Sequence, residues 1–271
     1  MKNKAEYTIR TLDDKIMKDG LEAVSTLDTF GQTRGSYLVV GGVAAQSYLP
    51  TSCRRATSDI DLVVAKPLAR KREFLDYAKP TLEWLQDNNF SVETNEKRRT
   101  WNITTTSPED ETILIEFTRS NQKYFDRISC MLKRELQHAR SKLVEERNIR
   151  YKVVAPEDIV VPKFSRICIL LQKYPQFIGA IAPYFGALND GLIRSTLNRT
   201  QDMRARLKDN LESEEMFSRA RFISDAFDIR ILFEVAGFNE YYINEVAVDW
   251  PAIEDNVKQK EMLHQLLPIL H

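Results

Sequence analysis

Apolar and polar positions alternate with two periods along this chain, and the switches between them outline its elements. Over residues 8–30, Ile9, Leu12, Ile16, Leu21, Val24 and Leu27 recur at roughly helical spacing, so a helix is predicted, with Gly20 weakening its middle. The short apolar run at 36–40 then predicts a buried strand. A short helix is predicted over 43–49, stopped by Pro50, and a second strand over 59–65. Residues 68–88 return to helical spacing, with Leu68, Phe74, Leu75, Leu82, Trp84 and Leu85 facing inward. Three further strands follow at 90–94, 100–106 and 112–118, the last two joined by a turn at 107–110. Residues 123–147 are rich in Lys and Arg and are predicted helical. The stretch 149–164 reads as a strand followed by Pro156-Glu157-Asp158, a helix-start signal. From about 157 onward the pattern is mainly helical, as over 218–237, where Gly237 is the expected stop.

This order predicts an α/β (α+β) fold: a mixed sheet flanked by helices over residues 1–150, then a mainly helical part over 151–271. Composition narrows the classes. With 43% hydrophobic and 29% charged residues, the 271-residue chain reads as a soluble protein able to bury a real core. Its formal net charge of zero removes any global argument for a polyanionic partner, so a basic surface has to be local. The three cysteines, Cys53, Cys130 and Cys168, are odd in number and widely spaced, which excludes a disulfide framework or a zinc signature. The polar first 15 residues lack the apolar core of a secretion signal. The most apolar later stretch, 167–188, is interrupted by Lys173, Pro175 and Pro183, so no membrane span is expected and the setting is expected to be the cytoplasm.

Three features carry chemistry. Gly41-Gly42 follow a strand and open a helix, where bare backbone N–H groups can receive a phosphate; a purely structural turn has the same sequence. Asp59 and Asp61 stand two apart in a strand, so both carboxylates share one face while Ile60, Leu62 and Val64 point to the core. A hard divalent cation relieves the repulsion and desolvation of such a pair, and so does a solvated strand end. Glu116 is a lone acid between Ile115 and Phe117, either a third ligand from a neighbouring strand or a solvated edge residue. Glu109, Asp110 and Glu111, in the turn before it, are rivals for the third position.

Strand, glycine pair, helix, Asp-Ile-Asp strand and later acid occur here in the order that resembles the nucleotidyltransferase superfamily that includes DNA polymerase beta. More narrowly, Gly41, Gly42, Arg55, Thr57, Asp59, Ile60 and Asp61 stand in the register of the AbiEii-type nucleotidyltransferases, toxin components of abortive-infection and type IV toxin–antitoxin systems. A looser C-terminal similarity comprises Pro156, Lys163 and Arg166, and later Arg221, Asp225 and Asp228. The chain departs from that pattern at Val43, where a small hydroxyl residue is usual, and at Ser224, where a basic residue is usual. Its glycine-to-aspartate spacing is also longer than in the most compact members of the superfamily.

The resemblance implies Mg²⁺-dependent transfer of a nucleoside monophosphate from an NTP, such as ATP or GTP, to an acceptor hydroxyl. It implies Asp59, Asp61 and Glu116 as ligands of two Mg²⁺ ions, and Gly41, Gly42 and Lys163 as nucleotide contacts; Thr57 and Ser58 either donate to phosphate or cap the turn before the strand. Arg55 has two readings, a phosphate contact or a structural ion pair to an aspartate. Asp225 and Asp228 are expected to be structural, paired with Lys163 or Arg166. RNA, tRNA above all, is the expected acceptor, and a cognate antitoxin the expected protein partner. An aminoglycoside-type small-molecule acceptor and a non-catalytic nucleotide- or partner-binding role are the alternatives. The basic residues between Arg119 and Lys152, and a second group of Lys97, Arg98, Arg99 and Trp101, form either a guide for RNA or ordinary solvated faces.

Overall fold

The structure is a computed structural model that describes residues 11–29, 36–185, 189–208, 214–250 and 253. The ends of the first expected helix, at 8–10 and 30, and the helical expectation for 254–271 lie outside the described residues. The chain forms two compact units. One comprises 1–47 and 57–155, the other 48–56 and 156–271.

The first unit is built on a seven-stranded mixed sheet. Its strands are β1 (Tyr37–Val40), β2 (Asp59–Val64), β3 (Ser91–Glu96), β4 (Thr100–Thr106), β5 (Thr112–Thr118), β6 (Arg140–Val144) and β7 (Ile149–Val153), in the order β3-β4-β5-β2-β1-β7-β6. β2 is central, antiparallel to β1 and parallel to β5. Helices α1 (Lys15–Ser25), α2 (Gly41–Gln46), α3 (Lys71–Asp87) and α4 (Gln122–His138) complete the unit.

Strict alternation explains why β2 has one dry face. Ile60, Leu62 and Val64 are buried, whereas Asp59, Asp61 and Val63 are half-buried. Ile113, Ile115 and Phe117 of β5 extend the dry face, and Phe117 and Trp101 pack against Phe74 of α3. Gly20 has a packing reason for sitting mid-helix: a Cβ there would lie 2.7 Å from Ile60 Cδ1, so α1 approaches the sheet closely. Trp101 is 2% exposed, stacks on Phe74 and donates its indole N–H to the Leu68 carbonyl at 2.7 Å. It is therefore a core residue and not part of a surface basic–aromatic cluster.

The helix expected over 123–147 ends at His138. Ala139 turns extended (ψ 143°), and 140–144 form the edge strand β6, paired antiparallel with β7. Closely spaced Lys and Arg imitate a solvated helix face. An edge strand tolerates the same charges, which also discourage further strand pairing.

The second unit is helical. Its helices are α5 (Pro156–Lys173), α6 (Ile178–Ile181), α7 (Asp190–Lys208), α8 (Glu214–Ala236) and α9 (Glu240–Ala247). α8 packs against α5 and α7, and α9 against α5. Gly237, at φ +64°, ends α8 where the sequence predicts a stop. Glu157 accepts the Asn239 N–H at 2.6 Å, and Tyr242 donates its hydroxyl to Asp158 at 2.6 Å, fixing α9 on α5. Segment 48–56 belongs to this unit although the sequence places it between α2 and β2. Among the described residues no helix is long and apolar enough to cross a membrane.

Candidate active site

Register brings the acids together. Asp61 of β2 is the direct cross-strand neighbour of Glu116 in β5 and of Val40 in β1. Like charges placed side by side on adjacent strands destabilise a sheet, so this arrangement costs stability in the bare protein. Asp59, Asp61 and Glu116 each offer a carboxylate oxygen, and the three atoms lie within 4.8 Å of one another. Three partly exposed carboxylates converging at that spacing are a donor set of the kind hard divalent cations take, so the residues fit a Mg²⁺ site.

The surroundings hold these acids in place. Thr57 donates its hydroxyl to Asp59 Oδ1 at 3.3 Å. Asn102 of β4 lies directly opposite Glu116 and donates its amide to Glu116 Oε1 at 2.8 Å, with Lys97 Nζ at 3.4 Å from the same oxygen. Gly41 adopts φ +70°, and a Cβ there would stand 2.3 Å from Asp61 Oδ2. The glycine is thus required twice, by its backbone conformation and by the carboxylate beside it. Gly42 follows as the second residue of α2, and Ser58, half-buried, directly precedes Asp59. Of the rival acids, Glu109 pairs with Lys15 at 2.7 Å in an exposed turn, and that bond holds its carboxyl below the usual range.

The remaining residues singled out in the sequence gather in the second unit. Arg55 grips Asp228 with two parallel bonds, Nε to Oδ1 at 2.7 Å and Nη2 to Oδ2 at 2.6 Å. Lys163 lies 2.9 Å from Asp228 Oδ2 and 3.1 Å from Asp225 Oδ1, while Arg166 clasps both oxygens of Asp225. Arg55, Lys163, Asp225 and Asp228 are all buried. Burial alone would push the Asp228 carboxyl up, but Arg55 and then Lys163 outweigh it and hold it down at about 2. Asp225 is also lowered: burial pushes it up, and Lys163 and then Arg166 overcome that. Of the two readings of Arg55, the ion pair is the one present. Lys163 likewise directs its ammonium to two carboxylates.

Asn102 was not singled out in the sequence. Its signal there is a lone amide between Trp101 and Ile103 in a strand otherwise made of β-formers.

No protein-family model and no curated protein matches the chain. Among solved structures it is similar to an antigenic nucleotidyltransferase-like protein from Paracoccidioides brasiliensis. The identity is 17%, with 80% of this chain and 93% of that chain covered, at a TM-score of 0.36. It is also similar to the Cid1 poly(U) polymerase, solved with MgGTP bound. There the identity is 18%, with 70% of this chain and 51% of that chain covered, at a TM-score of 0.26.

Proposed function

We propose that this chain is a metal-dependent nucleotidyltransferase of the AbiEii type, moving a nucleoside monophosphate from an NTP to a hydroxyl of RNA. The convergence of Asp59, Asp61 and Glu116 carries the reading. The sequence resemblance over Gly41 to Asp61 supports it and supplies the expectation of an RNA acceptor and a cognate antitoxin.

Asp59 and Asp61 would hold the metal, and Glu116 would complete the ligand set; Mg²⁺ held there would supply positive charge against that developing on the phosphate oxygens. The acceptor oxygen forms a bond to the α-phosphorus as the bond to pyrophosphate breaks, and Glu116 helps take up the hydroxyl proton. Gly41 and Gly42 present backbone N–H groups to phosphate, and Thr57 and Ser58 supply hydroxyls beside the acids. Lys163, which the resemblance assigns to the nucleotide, and Arg55, for which phosphate contact is one of two readings, pair with Asp228 and Asp225. We assign them to anchoring segment 48–56, whose next residues lead into β2.

A panel of labelled NTPs tests the reading, each offered with total cellular RNA or with aminoglycosides in Mg²⁺. RNA is expected to take up label from at least one NTP, and an Asp59→Ala/Asp61→Ala variant is expected to lose at least about 10²-fold of that rate. Labelling of the aminoglycosides alone would replace the acceptor class. Equal labelling by the folded double variant would sink the assignment of the site.

A further inference from the structure

Asn102 is expensive where it stands. Its residue is fully buried in β4, and asparagine is a poor strand former. The amide N–H₂ donates to Glu116 Oε1, but the buried amide oxygen Oδ1 accepts no hydrogen bond from any described residue. A buried acceptor without a donor is destabilising, and such a group in a native fold calls for a reason. The amide cannot be turned round to relieve it, because that would set oxygen against the Glu116 carboxylate. Cross-strand register leaves no doubt about what the retained bond serves: Asn102 and Glu116 are direct partners. Lys97 reaches the same oxygen at 3.4 Å, but it stands in the turn between β3 and β4 with its side chain 41% exposed, and holds Glu116 loosely.

We infer that Asn102 is a positioning residue for the metal centre: its amide fixes the Glu116 carboxylate so that it completes a divalent-cation site with Asp59 and Asp61. The inference rests on the metal-dependent reading above. A carboxylate on a strand has free side-chain torsions, and two negative neighbours push it away when no cation is present. A rigid amide donor from the adjacent strand opposes both. Removing a hydrogen-bond partner of a metal ligand typically weakens metal affinity 10- to 100-fold.

The experiment uses Mn²⁺ alone as the probe, its free concentration followed by electron paramagnetic resonance, with the full chain. Four proteins are compared with the wild type. Asn102→Leu keeps the branched shape without the donor, and Asn102→Ala guards against overpacking by leucine. Asp59→Ala/Asp61→Ala reports the site itself. Thr105→Val removes a different buried polar group, a hydroxyl without a hydrogen bond among the described residues, from the opposite face of β4. Melting temperatures are recorded for each. The expected result is Mn²⁺ binding weakened roughly 10- to 100-fold in both Asn102 variants while they remain folded, and unchanged in Thr105→Val. Wild-type affinity in either folded Asn102 variant, with binding lost in the double variant, would overturn the positioning role and leave the metal site standing. If the wild type binds no Mn²⁺, or the double variant binds it equally well, the metal reading fails and this inference with it.

Discussion

At the scale of single residues, the site is a set of positions where stability yields to function. Asp61 beside Glu116 repels, Asn102 keeps a buried oxygen without a hydrogen bond among the described residues, and Gly41 holds a backbone conformation that side chains rarely adopt. Gly41 gives the sharpest expectation. Alanine there meets strain from φ +70° and a contact of 2.3 Å with Asp61 Oδ2, so either the strand or the carboxylate has to move. Gly41→Ala is expected to lower stability by about 1–3 kcal/mol and to weaken Mn²⁺ binding in whatever protein stays folded. Thermal denaturation and metal titration of the same sample check both. An unchanged melting temperature together with unchanged affinity would mean that the close approach is not needed. The sequence shows Gly41 and the aspartates plainly, because glycine and alternating acids are conspicuous in apolar runs. It does not show Asn102, since an amide in a strand acquires meaning only from the residue opposite it.

At the scale of elements, what matters is which charges are buried together. Arg55, Lys163 and Arg166 meet Asp225 and Asp228 between segment 48–56, α5 and α8, all within the helical unit. Such a cluster need not exceed an apolar core in stability, but losing one member strands the others. Asp228→Ala leaves Arg55 and Lys163 buried without that partner and is expected to cost about 3–5 kcal/mol. The same carboxyl sets an acid limit. Its folded value of about 2 lies below the unfolded value, so its contribution is complete above about pH 4 and fades as pH falls toward 2. That contribution is roughly 2–3 kcal/mol, and denaturant titrations between pH 5 and 2 measure it. Stability of the Asp228→Ala variant should fall less over that window, and an identical acid dependence would contradict the assignment. From the sequence, Asp225 and Asp228 are expected to pair with Lys163 or Arg166, and Arg55 is left between phosphate and an unnamed aspartate. Their union depends on helix packing that no local pattern encodes.

At the scale of the whole molecule, the first unit was legible where strands alternate strictly or are dense in β-formers. β2, β4 and β5 fall within a residue of expectation: β2 alternates buried and half-buried positions, while β4 and β5 are rich in Thr and Ile. β6 was not, because Arg140 and Lys142 in a row of basic residues look the same on an edge strand as on a helix. Segment 48–56 was also misplaced by chain order: it lies between α2 and β2 in sequence but packs with the helical unit. The acid site was legible in its parts, and the register of β2 with β5 supplied their juxtaposition. On the proposed function, this juxtaposition moves a nucleotide rather than a phosphate. The direct measurement supplies the chain with Mg²⁺, total RNA and each NTP labelled either at the α- or at the γ-phosphate. The expected result is α-label entering RNA and γ-label leaving as pyrophosphate, with both signals lost in Asp59→Ala/Asp61→Ala. Transfer of γ-label to the acceptor, or α-label transfer that survives in the folded double variant, would contradict it.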